Sequence, residues 1–476
     1  MGRLSIFLAI FFLAEGCLMG QTVILSDPLS VRNDYGYELI GRLRDRILLF
    51  RDKSNEFEIQ AFDNQMHLSW NKRLDDLDRR GIQIVAVIPS KNDFSVVYKQ
   101  YRRGHTYLRI HKYDPGANLI DSMVVKDYGE QLFTPPTLEI LKSDDRNCVV
   151  VYNTAQRESI ELVCFRLDKM QVLWDKVIDL ESTDRYEPDP FEMVVSNGGD
   201  CYFIAEKNTR RSRLEHHAFH ILHINAVADD ITHIPLEEYT TLDSKFTLDN
   251  RNNRLTGVGL WGDRIKNRAN GTFFFSMRLD GSTPRVLHYE VFDEKFVSIL
   301  RQRDVEEGAR GVGDSALRDL LLRQDGGALL VAERYREVQR GTASGRGVLR
   351  DGMRLIIDYY YDDVYAISFS PDGRPQWKTA LHKKQYSQDD DGIFSSYFLV
   401  KNADYIRFLF NDEIKYENTC SEYVLSPTGA FDRNGILNTV NQGLRLRFGD
   451  ALQLSTNECL IPSEFRSKLR LVLLRF

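Results

Sequence analysis

A short pattern that returns at intervals of about 50 residues constrains this chain more than any other feature. "AFDNQMHLSW" (61–70), "RLDKMQVLW" ending at Trp174 and "SFSPDGRPQW" ending at Trp377 each lead through Asp and a few turn residues to a closing Trp. Turn anchors of this kind stand at Asp63, Asp114, Asp168, Asp280 and Asp372, with weaker equivalents near Asn225 and Ser426. Asp63 to Asp114 is 51 residues, and Asp114 to Asp168 and Asp372 to Ser426 are 54 each. Asp168 to Asp280 is 112, or two units, and Asp280 to Asp372 is 92, so that unit carries an insertion. Between the anchors lie short segments with period-two alternation, such as "FEIQAFD", "FSVVYKQ", "IELVCFRLD" and "YIRFLFND", bounded by Asp, Asn, Gly, Lys and Ser. That is the signature of strands and hairpins. Helical spacing is nearly absent; "SALRDLLLRQ" (315–324) is its best example.

One unit holds four short strands, too thin a sheet to bury both faces alone. Sheets stacked face to face around a ring bury each face against the next and leave only short edges. The period therefore predicts an all-β fold, a β-propeller of four-stranded antiparallel blades. The units fall at 37–82, 83–128, 135–180, 189–238, 243–300, 315–382 and 393–438, with a three-strand remainder at 444–476. The stretch "TVILSD", from Thr22, has no unit of its own. Pairing it with the terminal strands completes an eighth blade, closes the ring and removes two open edges. Seven blades is the alternative. In this arrangement Trp70 sits on an outer strand and covers the seam to a neighbouring blade.

The Asp-turn-Trp units resemble the repeats of eight-bladed, quinoprotein-type propellers, whose outer-membrane assembly lipoproteins are non-catalytic members. The resemblance rests on the units ending in Trp70, Trp174 and Trp377; Gly, part of that family's pattern, is present only in "SPDGRPQW". It implies the fold and a binding role. No adjacent Cys pair and no metal-ligand set at matching positions accompany it, so no quinone, metal or other cofactor is expected.

The first twenty residues read as a signal peptide: Arg3, then an apolar run from Leu4 to Ala14, then small residues. Cleavage before Gln21 is favoured, and lipidation of Cys17 is the alternative. Residues 21–476 are then a single propeller, exported to the periplasm, the outer envelope or the medium of a bacterium. No further stretch reaches the ~18 apolar residues of a membrane helix. A net charge of −6 argues against nucleic acid, which selects a basic face. Of Cys148, Cys164, Cys201, Cys420 and Cys459, the first two could pair; the plainer expectation is five buried apolar thiols.

Candidate chemistry is sparse. "LEHHAFHILHI" carries His216, His217, His220 and His223, but same-face neighbours in it lie too far apart on a strand to share an ion without partners from elsewhere. "QDDDGIFSSY" (Asp389, Asp390, Asp391, Gly392) lacks the later acid of a calcium loop and reads as a solvated turn. "GARGVG" (308–313) has no P-loop Lys and reads as a flexible loop. The insertion is the most distinctive region. A hairpin near 334–356 carries Arg334, Arg336, Arg340, Arg346, Arg350 and Arg354, followed by Tyr359, Tyr360, Tyr361 and Tyr365. Arg and Tyr are enriched at binding hot spots, so Arg334, Arg336, Arg340, Arg346, Arg350, Tyr359 and Tyr361 are the candidate partner-binding residues. The expected function is a monomeric, non-enzymatic scaffold that binds an envelope protein. The alternative is a propeller enzyme, of glycoside hydrolase or lyase type, acting on extracellular carbohydrate. An enzyme would bring paired carboxylates to the channel from different blades.

Overall fold

A computed structural model describes residues 21–130, 136–153, 159–179, 191–207, 218–227, 229–236, 239–263, 265–282, 285–301, 311–341, 355–414, 419–439 and 442–476. The signal segment with Cys17, together with Arg346 and Arg350, lies outside these residues.

Eight antiparallel sheets form an eight-bladed propeller. Blades one to seven use residues 34–73, 82–130, 138–179, 191–235, 241–291, 315–381 and 398–438. Blade eight takes residues 452–475 and, as its outermost strand, Thr22–Leu25, which runs antiparallel to the C-terminal strand from Thr22↔Arg475 to Leu25↔Val472. The first of the described strands thus closes the ring. In each blade the strands are lettered A to D from the channel outward. The apolar alternation of the strands has one destination: among the described residues the core divides into eight clusters, each shared by two adjacent blades. At the seam of blades one and two, for example, Phe50, Phe57 and Ile59 meet Phe94, Val96 and Tyr98.

The repeat anchors occupy equivalent positions, the turn from strand C to strand D. Asp63 Oδ1 accepts the backbone N–H groups of Gln65 (2.8 Å) and His67 (2.9 Å), and Asp114 Oδ1 those of Gly116 (2.9 Å) and Asn118 (2.8 Å). These Asx turns cap a bend whose later residue is left-handed, Met66 at φ 63° and Ala117 at φ 55°. The three repeated tryptophans are seam residues, as their spacing predicts. Trp70 packs on the cluster between blades one and two. Trp174 Nε1 donates to Gly199 O of blade four (2.9 Å), and Trp377 Nε1 to Pro427 O of blade seven (2.8 Å). Gly429, at φ 84°, lies flat under the Trp377 indole, where an added Cβ would stand 2.7 Å from the ring.

Two local expectations are corrected. "SALRDLLLRQ" is not helical: Ser315–Leu322 is strand A of blade six, paired from Ser315↔Arg334 to Leu322↔Ala328. Its leucines answer to the neighbouring strand rather than to helical spacing. The one α-helix among the described residues lies in the connection between blades five and six, α1 (Glu294–Arg301). Asp293 caps it by accepting the Phe296 N–H (2.8 Å), and Phe296, Val297 and Leu300 are buried. Of the glycine-rich stretch, Val312–Gly313 is a short strand paired with Arg268 and Ala269 of blade five, and 308–310 lie outside the described residues.

Candidate functional site

Blade six rises out of the ring. Its strand B, Ala328–Gly341, and strand C, Leu355–Phe369, are the longest of the described strands. Strand A leaves strand B at Arg334, and strand D leaves strand C at Val364. Beyond these points Tyr335–Gly341 pairs with residues 355–361, after a bulge between Glu333 and Tyr335. A further strand, Gln385–Gln388, joins the outer side of strand C, from Tyr361↔Gln385 to Asp358↔Gln388. The result is a three-stranded ribbon. Seven residues of strand B extend it by about 23 Å above the blade.

Period-two alternation gives the ribbon two faces, and they differ. One is backed. Tyr335 and Tyr361 pack with ring centroids 4.8 Å apart, and the Arg318 guanidinium lies 5.1 Å and 5.5 Å from the two rings. Beneath them the Glu333 carboxylate, fully buried, takes Arg318 Nε (2.9 Å), Lys383 Nζ (2.6 Å) and Ser396 Oγ (2.8 Å). Burial pushes the Lys383 ammonium below its ordinary range and the Tyr361 phenol up to about 12. The acidic stretch closes over this face. Tyr359 Oη donates to Asp391 Oδ1 (3.2 Å), Asp389 Oδ1 accepts the Ile357 N–H (2.9 Å), and Gly392, at φ 65°, packs on Tyr361. Asp389 and Asp391 lie exposed in the turn that the sequence predicts ahead of blade seven, and from that turn they also brace the ribbon.

Among the described residues the other face is open. The Arg336 guanidinium lies over Tyr360, 4.5 Å from its centroid, and Tyr360 packs on Tyr386 at 5.2 Å. Arg340 grips Asp358 with Nε and Nη2, the latter at 2.7 Å, and Tyr386 Oη donates to the same carboxylate (2.8 Å). The Arg340 hydrogen bonds hold the Asp358 carboxyl below its usual range. Arg336, Arg340 and Tyr386 are exposed. Arg336 makes no ion pair among the described residues.

The structure thus divides the sequence candidates. Arg336 and Arg340 come together on the open face. Tyr359 and Tyr361 belong to the backed face and hold the ribbon. Arg334 turns down to the ring, where Nη1 donates to Leu300 O at the end of α1 (2.9 Å) and stands 3.9 Å from Asp363. Tyr365 is core. Tyr360 and Tyr386 complete the open face. Alternation through "YYYDD" puts Tyr360 opposite its two neighbours, a usable signal; Tyr386 depends on a strand pairing that no local pattern announces.

The channel carries a second set of polar side chains, all on A strands. Glu38 Oε2 accepts the Val87 N–H (3.1 Å), Glu192 Oε2 the Phe246 N–H (2.8 Å) and Asp243 Oδ2 the Leu317 N–H (2.7 Å). Each ties one blade to the next. Burial, with Asp243 nearby, pushes the Glu192 carboxyl up to about 7 against the Phe246 N–H and Lys245. A cavity of about 850 Å³ opens on the side of blades one to three and eight, lined by Tyr35, Tyr37, Glu38, Lys142, Arg146 and Arg447 among others.

Elsewhere, His220 packs edge-on to His233 (4.4 Å), and His223 stacks on Tyr202 (4.6 Å) beside Asp200; His216 and His217 lie outside the described residues. All five described cysteines are buried free thiols. Cys148 stands opposite Arg166 and Cys164 opposite Val150, so the two are not register partners. No described helix is long and apolar enough to cross a membrane.

No protein-family model matches the chain, and no curated protein matches it in sequence. Solved structures of similar shape include Sqt1 of Saccharomyces cerevisiae, at 10% identity and a TM-score of 0.44, covering 94% of this chain and 97% of that one. The β-propeller domain of the Trilobed protease from Pyrococcus furiosus aligns at 7% identity and a TM-score of 0.37, covering 88% of this chain and 99% of that one. A prolyl endopeptidase aligns at 9% identity and a TM-score of 0.38, covering 94% of this chain; this chain spans about half of that protein, 55%. Likeness at this level carries no functional inference.

Proposed function

We propose that this propeller is an exported, non-enzymatic scaffold of the bacterial envelope that binds a protein partner through the open face of the blade-six ribbon. One observation carries the reading: a sheet raised above the ring, braced on one face and, among the described residues, uncovered on the other, with Arg336, Tyr360, Tyr386 and Arg340 on the uncovered side. Exposed Arg and Tyr on a preorganised support lose little rotamer freedom on binding. The leader-like segment at 1–20 supports export, and the Asp-turn-Trp repeat supports kinship with the non-catalytic propellers of the outer membrane. Affinity capture from envelope fractions tests the reading. The double variant Arg336→Glu, Tyr386→Ala should lose the partner that the parent chain retains, while Tyr359→Phe, on the braced face, should retain it. Capture unchanged in the double variant would refute the reading.

A second reading rests on Glu192 and Asp243, carboxylates from adjacent blades in the channel wall, one with its carboxyl raised to about 7. Such a pair suits general acid and base work on a glycosidic bond. Release of reducing sugar from envelope polysaccharides by the parent chain, abolished in Glu192→Gln, would favour it.

A further inference from the structure

We infer that the free edge of strand B in the ribbon receives an extended segment of the partner as an added β-strand, with acidic side chains at alternate positions. The inference rests on the reading of blade six as the contact element. The Tyr335 N–H donates to Asp314 O (2.7 Å), toward the side of strand A. Strand A ends there, and pairing with strand C continues in regular register to Gly341↔Leu355. Backbone alternation then turns the amides of Arg336, Val338 and Arg340 inward to strand C, and those of Glu337 and Gln339 outward. No strand among the described residues pairs with that outward side. An edge with its donors and acceptors unpaired is a template for one more strand.

The flanking side chains select the occupant. On the open face the edge carries Arg336 and Arg340. A strand laid beside it sets its alternate side chains against theirs, where opposite charges attract and like charges repel. The Asp358 carboxylate already satisfies Arg340, which leaves Arg336 to recruit an acid. A second copy of this edge would bring arginine against arginine. On the braced face the neighbours are Tyr335, Glu337 and Gln339; Glu337 repels an acid there, which confines the acidic positions to the open face, and β-branched residues supply strand propensity between them. The occupant is thus a short extended segment alternating Glu or Asp with Val or Thr.

The test uses the full chain and a fluorescent, end-blocked peptide of about eight residues alternating Glu and Val. It should bind saturably. The counterpart with Lys for Glu, and the parent peptide against Arg336→Glu, should each bind about tenfold more weakly. Gln339→Pro removes an outward N–H without touching the pairing to strand C, and should abolish peptide binding. N-methylation of the peptide at alternate residues, which leaves the protein unaltered, should abolish binding in one of its two registers only. Equal binding of both methylated registers, or full binding to a folded Gln339→Pro chain, would overturn the inference. So would dimerisation of the chain that Gln339→Pro abolishes, which would make a second copy the occupant. If Gln339→Pro keeps envelope capture while Arg336→Glu loses it, the edge inference fails and the scaffold reading stands. If neither variant alters capture, the scaffold reading fails as well.

Discussion

The seams of the ring and the ribbon of blade six use the same kinds of residue to opposite ends. At the seams, aromatic and charged groups are spent. The Trp174 indole is buried and its N–H is bonded to Gly199, and the Glu192 carboxyl sits on the Phe246 amide. On the ribbon the braced face is spent in the same way, through Tyr361, Arg318 and Glu333, while Arg336 on the open face is exposed with no ion pair among the described residues; Tyr386 beside it is exposed although its hydroxyl is already given to Asp358. Residue type therefore does not separate scaffold from site. What separates them is whether the chain has already used the group's polar atoms and its apolar surface.

This difference can be broken by mutation. Trp174→Ala should cost most, about 3–5 kcal/mol of folding free energy in denaturant melts, because it opens a large cavity at a closed seam. Tyr361→Ala should cost roughly 2–3 kcal/mol by removing the stacking surface under Tyr335 and Arg318. At the channel the effect becomes one of pH. The Glu192 carboxyl is raised to about 7 in the folded chain, against 4.5 ordinarily, so between those values the unfolded chain gives up a proton that the folded chain keeps. This group's contribution to stability is full below about pH 4.5 and is lost as the pH rises to 7; Glu192→Gln should flatten that part of the stability profile. Arg336→Glu should be smallest, within about 0.5 kcal/mol of the parent, as for an exposed position with no ion pair among the described residues. A loss at Arg336 as large as that at Tyr361 would erase the distinction between the faces.

Much of the ring was legible because its signals are local. An Asp that accepts two backbone amides shapes its own turn, so Asp63 and Asp114 mark blades without reference to anything distant. The tryptophans were legible as seam residues for a related reason: they recur at the blade period. Local spacing misled at 315–324, where Leu320, Leu321 and Leu322 fit a helix but pair with strand B. The true helix had its signals in Asp293 and the spacing of Phe296, Val297 and Leu300, within too short a run to stand out. The channel carboxylates left no trace, since Glu192 gains its role from an amide 54 positions away. Blade six was legible as a basic insertion followed by tyrosines. Which residues it displays was not, because that depends on the bulge at Glu333–Tyr335 and on Gln385–Gln388 returning to the outer side of strand C. Hence Arg334, Tyr359 and Tyr361 resembled Arg336 in sequence and serve the framework instead.

The central claim, that the open face of this ribbon meets the partner, is tested most directly by photo-crosslinking in intact cells. A benzophenone amino acid placed at Tyr386 should yield a discrete crosslinked species, and the same probe at Val177, exposed on the outer rim of blade three, should yield none. A crosslink from Val177 with none from Tyr386 would contradict it.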